Sequence, residues 1–204
     1  MARRKTRVKD KWREKKWITV HAPDSFGNVP LAYVPITDSG KIGGRVVEVT
    51  LFDIMKGDPS QHQYKIYFQL DKVNDDGTAT SIFKRYQYAT EYLRSLVRRG
   101  SSKITFIVDS QTKDGYLFRI KIIALTHRQL NTSRKHALRL IARDVITKSV
   151  PNMNIDEFVQ TACYGKLNSD IMALAKKIIR IRHVGLENVK LIKTAKEQIS
   201  LLEA

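Results

Sequence analysis

The sequence predicts an α+β fold, in which an antiparallel, barrel-like sheet comes first along the chain and packed helices follow it. From about residue 17 to 126, apolar and polar residues mostly alternate, which is the period of a strand with one buried face. After about residue 130, apolar residues recur with the period of a helix. Two Asp-Gly turns divide the alternating part into hairpins. We therefore expect a single domain over 17–193, preceded by a basic arm at 1–16 and followed by a tail at 194–204.

The predicted sheet contains six or seven short strands. The alternating runs cover residues 17–20, 31–36, 46–51, 64–71, 78–86, 104–108 and 116–125. Pro30 and Pro35 indicate an edge position for the second run, because proline cannot donate to a central ladder. An antiparallel sheet of this size usually closes or folds on itself to protect its edges. A small β-barrel over 17–126 is therefore expected.

A short helix is predicted within the strand-rich part, and most helices after it. Thr90 is a candidate cap for a helix that reaches about Arg99 and ends at Gly100. The first helix of the 130–181 part starts at Thr132 or Ser133 and reaches about residue 148.

Two further helices and a late strand complete the prediction. Asn154 with Glu157 three residues later is typical of a capping box, and Gly165 ends the helix that follows it. A third helix starts at Asn168 or Ser169. Residues 183–193 alternate again, which predicts a strand after the helices.

The charge balance is the strongest indication of a binding partner. The 204 residues carry 37 Lys and Arg against 20 Asp and Glu, a formal net charge of +17 at pH 7. Such an excess repels itself in a compact state unless a polyanion compensates it. The 42% hydrophobic content is still sufficient for a folded core. These values favour a globular protein that binds nucleic acid.

Other classes of protein are disfavoured by the same sequence. No apolar run approaches the roughly 18–20 residues of a membrane-spanning helix, and no apolar segment follows the basic start, as a secretory signal requires. Cys163 is the single cysteine, so neither an internal disulfide nor a zinc site of several thiolates is possible within the chain. We expect a cytoplasmic protein without membrane attachment, metal or cofactor.

The basic arm is expected to be disordered when free, because it has little apolar surface to bury. Its candidate RNA contacts are Arg3, Arg4, Lys5, Arg7, Lys9, Lys11, Trp12, Arg13, Lys15 and Lys16. The two tryptophans of this region could stack on bases or pack in the core. We favour core packing for Trp17 as the opening residue of the first strand, and leave both interpretations open for Trp12.

Further candidate RNA contacts are concentrated in two places along the chain. They are Arg94, Arg98, Arg99, Arg119, Arg128, Arg134, Lys135, Arg139 and Arg143. The fork of an arginine suits paired hydrogen bonds to phosphate. Because no recognition helix, zinc finger or RNP pattern is present, the sequence favours binding to the shape and backbone of a folded RNA.

Two alternative functions remain open from the residues alone. An RNA-processing or RNA-modifying enzyme with a basic barrel would need a deep pocket with converging polar groups, although the chain has no nucleotide-binding loop or catalytic motif. A barrel that stacks single strands would expose aromatic residues on one sheet face. Its candidates are Tyr67, Phe83, Tyr86 and Tyr88, for most of which core packing is favoured.

Two stretches of sequence resemble a known family. Residues 42–54 read Ile-Gly-Gly-Arg-Val-Val-Glu-Val-Thr-Leu-Phe-Asp-Ile, and residues 112–120 read Thr-Lys-Asp-Gly-Tyr-Leu-Phe-Arg-Ile. Both are similar to strand motifs of the archaeal and eukaryotic small-subunit ribosomal proteins called S-three-A-e. The resemblance extends over about residues 11–193, and the chain length favours an archaeal type. Arg45 and Lys113 lie within these motifs and join the candidate RNA contacts.

The resemblance implies a function and a location. Members of this family are structural constituents of the small ribosomal subunit, on its platform near the 3′ end of the rRNA and the messenger exit. The implied partners are small-subunit rRNA, neighbouring ribosomal proteins and messenger RNA near the exit, with no homo-oligomer and no enzymatic activity. Within the first motif we expect Arg45 to contact RNA or a carboxylate, and Glu48 and Asp53 to fix strand geometry.

Overall fold

A computed structural model of the protein describes residues 12–13, 15–37, 42–74 and 76–194. Within these ranges the strands are β1 (Lys16–His21), β2 (Pro30–Ile36), β3 (Val46–Thr50), β4 (Tyr64–Val73), β5 (Thr78–Tyr88), β6 (Lys103–Gln111), β7 (Leu117–Thr126) and β8 (Ile181–Lys193). The α-helices are α1 (Leu51–Met55), α2 (Thr90–Leu96), α3 (Thr132–Ser149), α4 (Ile155–Cys163) and α5 (Lys166–Lys176). The predicted α+β class and the order of strands before helices are confirmed. No helix of the described ranges is long and apolar enough to cross a membrane.

The sheet divides at β5. One edge of β5 pairs with β4 along most of its length, and β4 pairs in turn with β3. The other edge pairs with β1 in parallel at Thr78 and Ala79, and with β8 antiparallel at 85–87. One branch continues from β1 to β2, and the other continues from β8 through β7 to β6.

The closed barrel expected from the sequence is not confirmed. In the described residues the sheet has open ends at β2, β3 and β6, with no pairing between them. The physical reason is that β5 shares one edge between two partners, so the sheet branches instead of returning to its own start. The edge position predicted for the strand with Pro30 and Pro35 agrees with β2, which pairs with β1 alone among the described strands.

The last strand, β8, occupies the centre of the sheet. It pairs with β7 from Ile181, opposite Thr126, to Lys193, opposite Leu117, and with β5 on its other edge. Most of its side chains are buried, including Leu186. A strand after residue 182 is predicted correctly by the alternating pattern, but its central position comes from pairing with strands far away in sequence.

The main core lies between the sheet and the helices that follow β7. Phe118 of β7 contacts Phe158 of α4, with ring centroids 4.9 Å apart, and both side chains are fully buried. Ile171 and Ala175 of α5 belong to the same core. A second, smaller cluster lies under the β1–β2 hairpin and contains Ile18, Val20, Ile36, Ile42, Leu70 and Ala79. Leu31 of β2 packs against both clusters, so the hairpin buries its inner face mainly in the small cluster and touches the main core through Leu31.

Local hydrogen bonds explain where α4 and α5 begin. The predicted capping box of Asn154 and Glu157 is confirmed at the start of α4. The carboxylate of Asp114, in the β6–β7 turn, also accepts a hydrogen bond from the Ile155 N–H at 2.8 Å, which fixes this helix to the sheet. The start of α5 is Lys166, earlier than predicted, because Gly165 already has a left-handed conformation with φ of 75° and ends the turn after α4.

Two other helix boundaries differ from the prediction. Thr50 and Asp53 form a capping box that turns the chain into α1, a short helix where the alternating pattern had suggested the end of a strand. The predicted cap at Thr90 is wrong, because α2 is preceded by Ala89 without a side-chain capping bond. The end of α2 is Leu96, before the predicted end at Arg99.

A cluster of aromatic rings packs α2 against the ends of β5 and β8. It consists of Tyr64, Tyr86, Tyr88, Tyr92 and His183, with neighbouring ring centroids 5.3–6.5 Å apart. Burial raises the pKa of the Tyr86 and Tyr88 hydroxyls. Burial also lowers the pKa of His183, and the neighbouring Arg182 lowers it further.

Gly185→Ala is expected to destabilise the protein strongly. A Cβ at this buried position would overlap the Tyr88 hydroxyl and lie 2.8 Å from Tyr88 Cζ and 3.0 Å from His183 Nε2. We expect a decrease of about 3 kcal/mol in unfolding free energy, measured by urea denaturation. The control is Gly43→Ala, where a Cβ meets no atom within 4 Å and the change is expected to stay within about 0.5 kcal/mol. Equal stability of the two variants would contradict the packing described for Tyr88.

His183 is expected to make the protein less stable as the pH falls. The pKa of His183 is lowered in the folded state. As the pH falls, the unfolded chain therefore binds a proton at this histidine near its ordinary pKa of about 6.5, before the folded protein does. Stability therefore decreases as pH falls from about 6.5 towards the lowered folded pKa. Thermal unfolding at pH 7.5 and 5.5 should show a smaller decrease in Tm for His183→Gln than for the unmodified protein. His136→Gln, on exposed α3, controls for the removal of a histidine, and an unchanged pH response in His183→Gln would refute the assignment.

Candidate nucleic-acid interface

A cationic cleft opens where β7 leads into α3. It has a volume of about 780 Å³ and is lined by His127, Arg128, Gln129, Leu130, Arg134, Ile179 and Arg180. Three of these side chains are guanidinium groups, and the described lining contains no carboxylate. Such a cleft suits phosphate oxygens, which accept paired hydrogen bonds from a guanidinium.

Buried Thr126 fixes the loop that forms the cleft. Its hydroxyl donates to the carbonyl of Arg128 at 2.6 Å and accepts from the N–H of Ser102 at 3.0 Å. The Ser102 hydroxyl accepts in turn from the N–H of Leu130 at 3.0 Å. These bonds hold the backbone of 127–130 at both ends and so fix the position from which the Arg128 side chain extends.

Two features add positive potential to the cleft. Arg134 lies in the first turn of α3, an 18-residue helix whose N-terminal amide groups carry partial positive charge. Arg180 immediately precedes β8, and its carbonyl accepts from the N–H of His127 at 3.4 Å. Sequence analysis missed Arg180, since only the pairing of Thr126 with Ile181 brings it beside the end of β7.

The exposed side of α3 continues this cationic region. Arg139 and Arg143 line a narrow cleft of about 160 Å³ between α3 and β6, together with His136. Residues four apart lie on one side of a helix, so the two arginines are neighbours. Lys135 is half-buried on the same helix. We define the α3 cationic surface as Arg128, Arg134, Arg139, Arg143 and Arg180.

The other candidate contacts among the described residues lie on separate elements. Arg94, Arg98 and Arg99 are exposed on α2 and the turn after it. Lys113 is exposed in the β6–β7 turn. The structure does not bring these four cations into the cationic cleft.

Two candidate contacts have partners within the protein. Arg119 donates from Nε and Nη2 to the two carboxylate oxygens of Asp109, each at 2.8 Å, and this hydrogen bonding lowers the pKa of Asp109. Arg45 donates from Nη1 to the carbonyl of Pro35 at 3.2 Å. An RNA phosphate would therefore have to compete with Asp109 for the fork of Arg119.

The two motif carboxylates have different structural roles. Glu48 accepts from Lys65 at 2.7 Å across the β3–β4 pair, and the hydrogen bond lowers its pKa. This contact agrees with the role in strand geometry expected for Glu48. The same expectation is wrong for Asp53, which completes the capping box of α1 with Thr50.

The described part of the arm leads into exposed aromatic residues. Trp12 and Trp17 are 65% and 64% exposed, so the core position favoured for Trp17 is wrong. The ammonium group of Lys15 lies 3.4 Å from the centroid of the Trp12 ring, and Arg13 and Lys16 are exposed. The remaining candidate contacts of the arm, namely Arg3, Arg4, Lys5, Arg7, Lys9 and Lys11, lie outside the described residues.

The sequence contained a clue to the exposure of Trp17. In β1, Ile18 and Val20 point into the hydrophobic cluster, and Trp17 and Thr19 alternate with them. Because successive side chains of a strand point to opposite faces, Trp17 lies on the face opposite Ile18.

A second cleft, between α3 and α5, has a different character. It has a volume of about 340 Å³ and is lined by Ile141, Asp144, Val145, Lys148, Leu174, Lys177 and Ile178. Leu174 and Ile178 are more than 40% exposed. Ile178 of this lining is followed directly by Ile179 and Arg180 of the cationic cleft, so the two clefts are neighbours.

The single-strand alternative is not supported by the aromatic residues proposed for it. Phe83, Tyr86 and Tyr88 are buried in the main core, as core packing predicted. Tyr67 is half-buried, with its ring 5.9 Å from the guanidinium carbon of Arg85.

The enzyme alternative is not supported by the groups with shifted pKa values. Burial raises the pKa of Tyr86 and Tyr88, and raises that of Cys163 to about 12. These groups lie in the core and do not line the cationic cleft. Over the described ranges, we find no cleft in which polar groups with shifted pKa values converge.

Comparison with known proteins gives a consistent family assignment. The family model of the Ribosomal S3Ae family matches residues 3–195. The small ribosomal subunit protein eS1 of Desulfurococcus amylolyticus is 46% identical over 185 residues, covering 91% of this chain and 86% of that protein. The proteins of the same name from Staphylothermus marinus and Archaeoglobus fulgidus are 42% and 40% identical, each over 191 residues; these matches cover 94% and 93% of this chain and 89% and 90% of the relatives. The chain belongs to the Ribosomal S3Ae family.

Proposed function

We propose that this protein is a structural, non-enzymatic constituent of the small ribosomal subunit that binds rRNA through the α3 cationic surface. The observation that carries the proposal is the cleft in which Arg128, Arg134 and Arg180 converge without a carboxylate in its described lining. Family membership and the names of the relatives supply the ribosomal context. Translation in the cytoplasm is the process that the protein would support.

The chemistry of the cleft favours the RNA backbone over base edges. Guanidinium groups in one cleft can hold adjacent phosphates, and backbone contacts position a protein without reading sequence. The net charge of +17 is compensated when rRNA surrounds the protein, so binding also relieves self-repulsion. The exposed cations of α2 and the residue Lys113 extend the proposed contacts beyond the cleft.

The apolar cleft between α3 and α5 supports contact with a neighbouring ribosomal protein. Its exposed Leu174 and Ile178 offer no charge to phosphate, whereas Lys148 and Lys177 stand beside them. Asp144 lies in the same lining, so the cleft carries two cations and one carboxylate around its apolar residues. Such a surface suits a protein segment with apolar side chains and some acidic ones.

The finer location within the subunit follows from the family resemblance. We place the protein on the platform, near the 3′ end of the rRNA and the messenger exit, where messenger RNA would pass close to it. The basic arm at 1–16 would extend from the folded domain into rRNA. No homo-oligomer is part of the proposal.

The double variant Arg128→Gln and Arg134→Gln is expected to weaken binding to a folded small-subunit rRNA transcript. Each phosphate that the variant no longer neutralises should reduce the slope of log K against log salt by about 1. The measurement is a filter-binding titration at several salt concentrations. The control is Lys56→Gln with Lys72→Gln, which removes the same charge from two exposed positions, one directly after α1 and one in β4. Equal weakening in both double variants would mean that only net charge, and not the cleft, decides affinity.

The native protein is expected to sediment with the small ribosomal subunit. A sucrose gradient of cell extract, with the protein detected in each fraction, measures this directly. An integral component should stay with the subunit through a moderate salt wash, because many phosphate contacts and burial against neighbours act together. Migration near its own mass of 23.5 kDa, apart from rRNA, would contradict the proposed function.

A further inference from the structure

The outer face of the β1–β2 hairpin exposes two large aromatic rings. Trp17 is 64% exposed and Tyr33 is 72% exposed. Trp17 lies opposite Pro35 in the antiparallel pair, and Tyr33 lies opposite Thr19. Trp17 and Tyr33 are therefore diagonal neighbours on one face of the hairpin, at roughly 7–8 Å, within reach of a shared ligand. We call this face, with Trp17, Thr19, Tyr33 and Pro35, the hairpin aromatic face.

The rings of Trp17 and Tyr33 are not part of the buried face of the hairpin. Its opposite face carries Ile18, Val20 and Ile36 into the small hydrophobic cluster, and that burial fixes which side is turned inward. Large aromatic side chains left in water gain nothing for folding, since apolar surface is stabilising only when it is removed from water. Two of them side by side indicate a surface that is covered by a ligand.

Trp17 also lines a cleft between the start of β1 and the β4–β5 turn. The cleft has a volume of about 300 Å³ and is lined by Lys16, Trp17, Ile18, Ile36, Thr37, Val73, Asn74 and Gly77. The β4–β5 turn supplies its opposite side, where the Asn74 amide donates to the Thr78 hydroxyl at 3.1 Å. An indole wall, an amide and a lysine together offer stacking, hydrogen bonding and phosphate contact.

The charges around the aromatic face select the kind of ligand. The four residues before Trp17 are Arg13, Glu14, Lys15 and Lys16, with a net charge of +2, and Arg13 and Lys16 are exposed. Arg45 reaches the same end of the hairpin, because its guanidinium donates to the carbonyl of Pro35. Aromatic rings interleaved with cations are the arrangement by which proteins hold unpaired nucleotides. A partner protein with an apolar surface would offer no negative charge to compensate these cations.

We propose that the hairpin aromatic face binds an unpaired segment of rRNA by stacking bases on Trp17 and Tyr33. Arg45 contacts a phosphate beside the stacked bases, and Lys16 contacts one in the adjoining cleft. The site rests on the proposed function for the presence of rRNA, but it uses residues separate from the α3 cationic surface. The source is rRNA because the face follows directly after the basic arm that we place in rRNA. The two surfaces hold RNA differently, one through the charge of its backbone and the other through its bases.

The first experiment measures binding of the full chain to a fluorescent 12-nucleotide oligouridylate. Trp17→Ala and Tyr33→Ala should each weaken binding by about tenfold or more, the usual effect of removing one stacked base. Trp17→Phe should retain most of the affinity, because it keeps an aromatic ring. Tyr164→Ala is the matched control, since Tyr164 is 57% exposed after α4, and it should bind as the unmodified protein does.

Fluorescence gives a second measurement on the same site. The chain has two tryptophans, so Trp12→Phe leaves Trp17 as the single indole. Saturating oligouridylate should quench its emission, as stacking on a base does, whereas an equal concentration of inorganic phosphate should not. Unchanged affinity in both alanine variants, together with unquenched Trp17, would overturn the proposal.

Failure of this inference can be distinguished from failure of the proposed function. Trp17→Ala should keep the salt slope of the unmodified protein with the folded rRNA transcript, because the α3 arginines are intact. A different pair of results would contradict only the proposed α3 function. Oligouridylate binding would be lost in Trp17→Ala, but the transcript would bind weakly and without salt dependence in every variant. The stacking surface would then be supported, and rRNA binding by the α3 cationic surface would be refuted.

Crosslinking in the particle tests the source of the RNA. Salt-washed small subunits without messenger are irradiated with ultraviolet light, and the nucleotide attached to the peptide around Trp17 and Tyr33 is identified by mass spectrometry. A crosslink to rRNA supports the proposal. A crosslink that forms only after a messenger oligonucleotide is added, or one to a neighbouring protein alone, would overturn the assignment of rRNA to this face.

Discussion

The insertion of β8 between β5 and β7 is the constraint on which the rest of the structure depends. Without it, the hairpin of β6 and β7 would have no connection to the β3–β4–β5 part of the sheet in the described pairing. The strand also places Gly185 under the Tyr88 ring and Arg180 beside the end of β7. Because β8 follows α3, α4 and α5 in sequence, it pairs with β5 and β7 across a long stretch of intervening chain. Such long-range pairing is costly in loop-closure entropy, and burial of the strand among hydrophobic side chains offsets that cost.

The distribution of charge follows from the same arrangement. Three acids hold basic side chains on the sheet: Asp109 holds Arg119, Glu187 holds Lys121 and Glu48 holds Lys65. Glu187 is buried, and the other two pairs are exposed and contribute little to stability. All three reduce the positive potential of the sheet locally. The described lining of the cationic cleft has no such acid. Positive potential is therefore concentrated at the start of α3, where the helix dipole adds to it.

The structure places two clefts of different character along one side of α3. Arg134 lines the cationic cleft, and Ile141 and Val145 of the same helical side line the more apolar cleft towards α5. Arg139 and Arg143 lie on the opposite side of the helix, towards β6. The β1–β2 hairpin buries its own small cluster, which leaves its outer face available for aromatic rings. A branch at β5 makes this possible, because the β1–β2 hairpin lies outside the β8–β7 part of the sheet, where consecutive residues are buried on both faces. Closing the sheet into a barrel would have removed the edge on which Tyr33 lies.

Local pattern in the sequence determined the class of fold, most strands, the capping box at Asn154 and the concentration of arginine around α3. These depend on residues close together in the chain, where alternation, capping and charge are directly visible. Tertiary structure alone decided the central place of β8, the branching of β5, the entry of Arg180 into the cleft and the cap that Asp114 gives to α4. The exposure of Trp17 depends on both sequence pattern and tertiary contacts. Its alternation with Ile18 is visible in the sequence, but the face that is covered depends on contacts with Leu70 and Ala79 from distant strands. The physical reason is that secondary structure follows from short-range periodicity. Strand partners and buried faces are instead selected by contacts between segments that are far apart in the sequence.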